Sequence, residues 1–188
     1  MGSTVFRRKI KSVNTKKIYN GTISLKLSTF IYNNKTIEEE IIEHPPSVGM
    51  IPLTDNMDVL LVSQYRYAIG KIMLEIPAGK IEKGEIPEQA ALREMAEEIG
   101  YFGDVTPLLK MYLAPGYDTE LMYVFVARKL KRIRRAALDN DEDIRLKRMR
   151  FDTAVEKCLN GELEDSKSIA AILALARIML KNKEFRVL

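Results

Sequence analysis

The sequence predicts an α/β fold in which helices pack on the faces of a mixed sheet, preceded by an antiparallel β meander. Short strand-like segments bounded by turn residues fill the N-terminal half, and helical segments occur near the middle and the end. With 188 residues, 46% of them hydrophobic, the chain is long enough to bury one good core.

The N-terminal meander is predicted from three segments. Residues 16–19 and 22–32 flank Asn20-Gly21, a strong hairpin signal, and Asn33-Asn34 separates the second segment from residues 36–43. Apolar positions in the second segment, such as Ile23 and Leu25, need cover on at least one face. We therefore divide the chain into an N-terminal β element, residues 1–45, and a main domain, residues 46–188.

The main domain is predicted to alternate strands and helices. Residues 47–53 and 59–65 are expected to pair around Asp55-Asn56, and the second begins with the apolar run VLLV that is typical of a buried strand. The remaining predicted elements are strands at residues 72–76, 105–113 and 121–127 and helices at residues 87–99, 152–159 and 166–180.

Composition excludes several kinds of chemistry. The single cysteine, Cys158, rules out an intramolecular disulfide framework, and the single histidine, His44, makes a multi-histidine zinc site or a histidine-based triad improbable. The net charge is only +4, and no basic patch is interleaved with aromatic residues, which argues against nucleic acid binding.

No apolar run is long enough to span a bilayer and no signal peptide is visible, so we expect a cytoplasmic protein.

The predicted helix at residues 87–99 carries an unusual acidic face. Pro87 suits a first helical turn and Gly100 suits a left-handed helix end. Three glutamates, Glu94, Glu97 and Glu98, share an arc of roughly 100° beside an apolar arc. Because the like charges destabilise one another, we expect a hard divalent cation to bind them, with Arg93 reaching Glu97 at i,i+4 to orient it. A solvated helix with surface ion pairs is the alternative.

The segment GKIEKGEIPEQAALREMAEEIGY, residues 79–101, resembles the motif of Nudix hydrolases. All its glycine, glutamate and arginine positions are in register: Gly79, Glu85, Arg93, Glu94, Glu97, Glu98 and Gly100. Tyr101 departs from the motif, since the family usually has an aliphatic residue there. The resemblance implies an α/β/α sandwich and a phosphate chemistry carried by carboxylates and metal ions.

Two further regions resemble the ADP-ribose pyrophosphatases of that family. The run QYRYAIGKIMLEIPAGKIEKGE, residues 64–85, places Arg66 where the subfamily has an arginine that contacts substrate. The run LAPGYDTE, residues 113–120, resembles the subfamily's proline-containing loop, so Pro115, Gly116 and Glu120 are candidate substrate-binding residues. An ordinary turn is the alternative for the Pro-Gly pair.

The general base has two candidates outside the acidic helix. The run DNDEDIR, residues 139–145, resembles the acidic loop that supplies the subfamily's catalytic glutamate, and Glu142 falls on that position. Glu120 is the second candidate. A solvated loop remains an alternative for the acidic run.

The resemblance implies hydrolysis of ADP-ribose to AMP and ribose 5-phosphate by a homodimer. Mg²⁺, with Mn²⁺ as the alternative ion, would be held by Glu94, Glu97, Glu98 and the carbonyl of Ala78. Catalytic roles then fall to Glu142, Glu97 and Arg93, and substrate binding to Arg66 and the proline-containing loop. Other nucleoside diphosphate sugars or dinucleotides stay open as substrates, as does a non-catalytic role in nucleic acid binding.

Overall fold

The computed structural model describes residues 10–133 and 144–182. The described residues contain ten strands and three helices in this order: β1 (Lys11–Asn20), β2 (Ser24–Tyr32), β3 (Lys35–Glu43), β4 (Ser47–Pro52), β5 (Asp58–Arg66), β6 (Lys71–Glu75), β7 (Ala78–Lys80), α1 (Pro87–Ile99), β8 (Tyr101–Tyr112), β9 (Leu121–Arg132), β10 (Arg145–Arg150), α2 (Phe151–Leu159) and α3 (Ser166–Lys181). They fall into two compact units. The first contains the described residues up to Pro45 together with Ala114–Glu120, and the second contains the rest.

The first unit is built on an antiparallel sheet in the order β1-β2-β3. The predicted meander is thus confirmed, although β1 begins at Lys11 rather than at residue 16. All ten residues of β1 are exposed. Residues 114–120 attach to the end of β3, since the amide of Ile42 donates to the carbonyl of Tyr117 at 2.7 Å and the amide of Thr119 donates to the carbonyl of Ile42 at 3.0 Å.

The second unit contains two sheets, in the orders β7-β4-β9-β8 and β10-β5-β6. Strand β4 runs parallel to β9, while the other ladders are antiparallel, so the predicted mixed sheet is confirmed. The expected pairing of β4 with β5 is wrong. Among the described residues the two strands form no ladder: an isolated bridge joins Val59 to Leu53, which follows β4. Strand β4 instead pairs over its whole length with β9, more than 70 positions away. An apolar run indicates a buried strand but does not choose its neighbour.

Alternate residues of the central strands face two different helix layers. In β5, Val59 and Leu61 pack in the core that includes α2 and α3, while Leu60 and Val62 pack in the core that includes α1. This alternation follows from the two-residue period of a strand. It places helices on both faces and confirms the α/β/α sandwich.

Helix α1 has the predicted bounds. It begins at Pro87 and ends before Gly100, whose φ of 70° is the left-handed conformation that glycine adopts at low cost. Strands β7 and β10 were not predicted, because β7 is short and β10 has the strongly basic sequence RLKRMR. In the described part of the chain, no helix is long and apolar enough to cross a membrane.

Candidate functional site

Helix α1 places its acidic residues by burying the opposite face. Ala91, Met95 and Ile99 lie in the core beneath it, next to residues of β4 and β5. Glu97 then lies on the outer part of the helix, with 42% of its side chain exposed, whereas Glu94 is 13% exposed and lies against Gly79. Glu98 lies at the boundary with only 8% of its surface exposed. The amphipathic pattern that predicts the helix therefore also sets the direction of its carboxylates.

Arg93 donates to five oxygen atoms, which belong to four residues in α1 and in the segment before it. Its Nε and Nη2 donate to the two oxygens of Glu85 at 3.0 Å each, and Nη1 donates to Glu94 at 2.8 Å and to Glu97 at 3.0 Å. Nη2 also donates to the carbonyl of Lys80 at 2.9 Å. The i,i+4 contact with Glu97 that the sequence indicated is present.

The ion pair between Arg93 and Glu85 shifts both groups toward their charged forms. The hydrogen bond to Glu85 raises the pKa of Arg93, and the same bond holds the pKa of Glu85 below its ordinary value. Arg93 therefore ties the loop before α1 to the acidic face of the helix.

The backbone of residues 78 and 79 lies between two carboxylates of α1. The amide of Ala78 donates to Oε2 of Glu98 at 2.9 Å. A Cβ placed on Gly79 would lie 2.0 Å from Cδ of Glu94 and 2.1 and 2.3 Å from its two oxygens. Glycine is required here because any side chain would displace Glu94.

The donor chemistry of this region fits a hard divalent cation. Carboxylate and carbonyl oxygens are the ligands that Mg²⁺ and Mn²⁺ prefer, and Gly79, which has no side chain, lets the carboxylate of Glu94 lie close to the backbone. The described residues nonetheless gather no group of three acidic, histidine or cysteine side chains in a metal-binding arrangement. Glu94 and Glu97 accept hydrogen bonds from Arg93, and Glu98 accepts one from Ala78. A cation would replace some of these contacts.

Arg66, at the end of β5, forms a fork with a buried carboxylate that the sequence did not indicate. Its Nε and Nη2 donate to the two oxygens of Glu75, each at 2.6 Å. The side chain of Glu75 is 2% exposed, whereas that of Arg66 is 43% exposed. Lys167 of α3 donates to the same carboxylate and also to Asp165, at 2.9 Å.

These contacts keep Glu75 ionised in spite of its burial. Desolvation acts to raise the pKa of Glu75, but the bonds from Arg66 and Lys167 outweigh it and the pKa lies below its ordinary value. The pKa of Arg66 is raised, mainly by the bond to Glu75, and the negative charge of Glu98 contributes to the same shift. In the sequence, these ion pairs are indicated only by Glu75 itself, because a charged residue within an otherwise apolar strand needs a partner.

The other candidate residues belong to the first unit or lie outside the described residues. Pro115, Gly116 and Glu120 belong to the first unit, where Oε2 of Glu120 lies 3.4 Å from Nδ1 of His44. Glu142 lies outside the described residues. Arg66 and the residues of the acidic helix, by contrast, all belong to the second unit.

Cys158 does not form a reactive site. Its thiol is buried, and burial raises its pKa to about 11, so it is protonated at neutral pH. Cys158 packs as a small apolar residue in the core that also contains residues of α3.

Comparison with known proteins gives consistent matches. A model of the NUDIX domain matches residues 43–172. The ADP-ribose pyrophosphatase of Bacillus subtilis (strain 168) is 34% identical over 166 residues, which cover 86% of this chain and 90% of that protein. The methanol dehydrogenase activator of Bacillus methanolicus is 35% identical over 166 residues with the same coverage. The crystal structure of an ADP compounds hydrolase matches the fold with a TM-score of 0.84 at 20% identity, covering 95% of this chain and 98% of that one.

Proposed function

We propose that this chain, which belongs to the Nudix family of hydrolases, cleaves the pyrophosphate bond of ADP-ribose to give AMP and ribose 5-phosphate with Mg²⁺ as its metal ion. The observation that carries the proposal is the proximity of two complementary groups in one unit. The acidic face of α1 suits cations and Arg66 suits the anionic phosphates. Arg66 is hydrogen-bonded to Glu75, and the amide of Ala78, three positions further along the chain, is hydrogen-bonded to Glu98. The likeness to an ADP-ribose pyrophosphatase over most of the chain supports the choice of substrate.

Nudix hydrolases generally depend on a divalent metal ion. In this chain Glu94, Glu97, Glu98 and the carbonyl oxygen of Ala78 would hold it. Glu94 and Glu98 lie against the backbone of residues 79 and 78, and Arg93 joins Glu97 to Glu94. When bound, the ion supplies charge neutralisation at the pyrophosphate oxygens and lowers the pKa of water.

The remaining steps belong to side chains of the protein. Arg66 donates hydrogen bonds to a phosphate or ribose oxygen, which holds the substrate in one orientation. Arg93 fixes Glu94 and Glu97 on the helix surface, as its hydrogen bonds to both support. Glu142 takes the proton of the attacking water, because a base that binds no metal keeps its basicity.

The choice between Glu142 and Glu120 is open to a direct test. Glu142→Gln keeps the shape of the side chain and removes the base, so we expect a large loss of kcat with a smaller change in KM. If Glu142→Gln keeps full kcat between pH 6 and 9 while Glu120→Gln is inactive, the role belongs to Glu120.

A homodimer is part of the proposal. Strand β1 exposes large apolar side chains, among them Val13, Ile18 and Tyr19, and a second copy of the chain would cover them. We expect light scattering to give twice the chain mass of 21.5 kDa at micromolar concentration. A monomer under these conditions would rule the dimer out.

The substrate is tested by comparing kcat/KM for ADP-ribose, GDP-mannose, NADH and diadenosine polyphosphates in the presence of Mg²⁺. We expect ADP-ribose to exceed the others by about tenfold or more, a difference of roughly 1.4 kcal/mol in transition-state binding. A higher value for another compound would move the assignment to that substrate.

A second candidate function is activation of a methanol dehydrogenase. It is favoured by the comparable sequence identity to the methanol dehydrogenase activator. Stimulation of a methanol dehydrogenase by this protein, measured with and without Mg²⁺, distinguishes the two. Stimulation without any hydrolysis of ADP-ribose would replace the proposed function.

A cytoplasmic location and the absence of nucleic acid binding remain predictions.

A further inference from the structure

Glu75 is a buried carboxylate held between two cations from distant parts of the chain. Arg66 lies 9 positions before it and Lys167 lies 92 positions after it. Both Glu75 and Lys167 are almost fully buried, with side chains 2% and 10% exposed. Since a buried charge is costly unless it is paired and hydrogen-bonded, each of these groups requires the others.

The fork to Glu75 uses one edge of the Arg66 guanidinium and leaves another edge for a ligand. Nε and Nη2 are bonded to Glu75, whereas the part of the chain that the structure describes offers Nη1 no acceptor. Nη1 carries two N–H donors, and the side chain is 43% exposed. The guanidinium is therefore fixed on its protein side and open on the other.

Lys167 is itself held in place by the first turn of α3. Asp165 caps the helix by accepting a hydrogen bond from the amide of Ser168 at 3.0 Å, and it also accepts from Lys167. The hydroxyl of Ser168 accepts from the amide of Ile76 at 2.7 Å. The end of β6 is thus attached to α3 through both a backbone and a side-chain contact, which makes Lys167 a rigid partner for Glu75.

We propose that Lys167 is a positioning residue which, through Glu75, holds the Arg66 guanidinium so that its Nη1 edge faces the phosphate oxygens of the substrate. The inference rests on the proposed function, in which Arg66 binds the substrate. Lys167 does not touch the substrate. It fixes one oxygen of Glu75, and the two-point fork then fixes the plane of the guanidinium.

The cluster composition explains why a second cation is present. Without Lys167, Glu75 would depend on the partly exposed Arg66, and the two side chains could shift together. Lys167 binds Glu75 from inside the core, so the carboxylate cannot shift. Substrate binding then needs no ordering of the arginine.

The test is a double-mutant cycle on Arg66 and Lys167, measured with ADP-ribose. We expect Lys167→Met to raise KM by about tenfold with kcat changed by less than about threefold, since a contact made equally in the ground and transition states affects KM. Arg66→Ala should raise KM at least as much. The double variant is made together with Glu75→Gln, so that no buried carboxylate is left unpaired, and should be no worse than Arg66→Ala alone, because Lys167 acts only through Arg66.

A second readout is the dissociation constant of ADP-ribose in EDTA, where no hydrolysis takes place. It should change in the same non-additive way. Lys71→Met is the matched control, because Lys71 forms a Lys–Glu pair with Glu164, near the same strand and helix, but on the surface. Its KM should stay within about twofold of the wild type, as for a surface pair.

The outcomes separate the inference from the function beneath it. If Arg66→Ala leaves KM and the dissociation constant unchanged, the role of Arg66 in the proposed function is wrong. If Arg66→Ala has its effect but the effect of Lys167→Met adds to it in full, the positioning role is wrong. If Lys167→Met does not fold by circular dichroism, Glu75→Gln/Lys167→Met, which removes both charges of the pair together, takes its place in the cycle with the same expected result.

Discussion

Two charged clusters of the second unit differ in net charge. The Arg93 cluster, which comprises Arg93, Glu85, Glu94 and Glu97, has one cation among three carboxylates. The Glu75 cluster, which comprises Glu75, Arg66, Lys167 and Asp165, has two cations and two carboxylates. The first is partly exposed at the surface of α1, and the second is largely buried between β6 and α3.

The difference in charge indicates a difference in role. The Glu75 cluster is neutral within itself, so it is stable without a ligand and can hold Arg66 in place. The Arg93 cluster keeps an excess of negative charge, to which Glu98 adds, and the like charges of Glu94 and Glu98 at i,i+4 destabilise the helix unless a cation binds. Under the proposed function, the Glu75 cluster holds the anion-binding Arg66 rigidly, and the acidic face of α1 needs a cation to complete it.

The largest expected effect comes from removing a carboxylate of the acidic surface. Glu94→Gln and Glu98→Gln should each lower kcat for ADP-ribose by about 100-fold or more, because each removes a proposed metal ligand. Circular dichroism should show an unchanged fold. Glu88→Gln, an exposed position in the first turn of the same helix, is the control and should keep normal activity. Near-normal activity of both ligand variants would refute the metal site.

A smaller effect is expected from adding one methyl group next to Glu94. In Gly79→Ala the new Cβ would lie within 2.3 Å of the carboxylate, so Glu94 must move, and we expect kcat to fall by about tenfold or more. The control is Gly84→Ala, where a Cβ meets no atom within 4 Å but φ is +87°. That variant should lose stability by roughly 1 kcal/mol and keep its activity. Unchanged kcat in Gly79→Ala would contradict the close approach.

The smallest expected effect concerns the acid stability of the Arg93 cluster. Arg93 lowers the pKa of Glu85 in the folded protein. The charge of Glu85 therefore stabilises the fold at any pH above the pKa of about 4.5 that Glu85 has in the unfolded chain. This contribution is lost as the pH falls through the lower pKa of the folded state. Glu85→Gln should reduce the free energy of unfolding by about 1 kcal/mol at pH 7, as for a partly exposed ion pair. Urea unfolding at pH 7 and pH 3 measures this, and a difference that persists undiminished at pH 3 would show that the charge of Glu85 is not its cause.

Local signals in the sequence predict one of these clusters and not the other. The bounds of α1, the acidic arc and the contact between Arg93 and Glu97 all follow from spacing within one helix, so the sequence indicates them. The Glu75 cluster joins β5, β6 and α3, and its ion pair with Lys167 spans 92 positions, a distance over which no local pattern acts.

The strand pairing shows the same limit. The existence of β4 and β5 follows from their apolar residues, but the choice of β9 as the partner of β4 depends on the packing of the whole unit. Strand β10 was missed because four of its six residues are basic, and its pairing with β5 is a contact between distant segments.

A Mn²⁺ titration followed by electron paramagnetic resonance tests directly whether the acidic face of α1 binds a divalent cation. The same titration tests whether the Glu75 cluster binds none. We compare the wild type with two variants that each remove one carboxylate charge, Glu94→Gln from the acidic surface and Glu75→Gln from the neutral cluster. We predict that Glu94→Gln weakens Mn²⁺ binding by about tenfold or more, while Glu75→Gln changes it by less than about twofold. Equal affinities for Mn²⁺ in the wild type and in Glu94→Gln would contradict it.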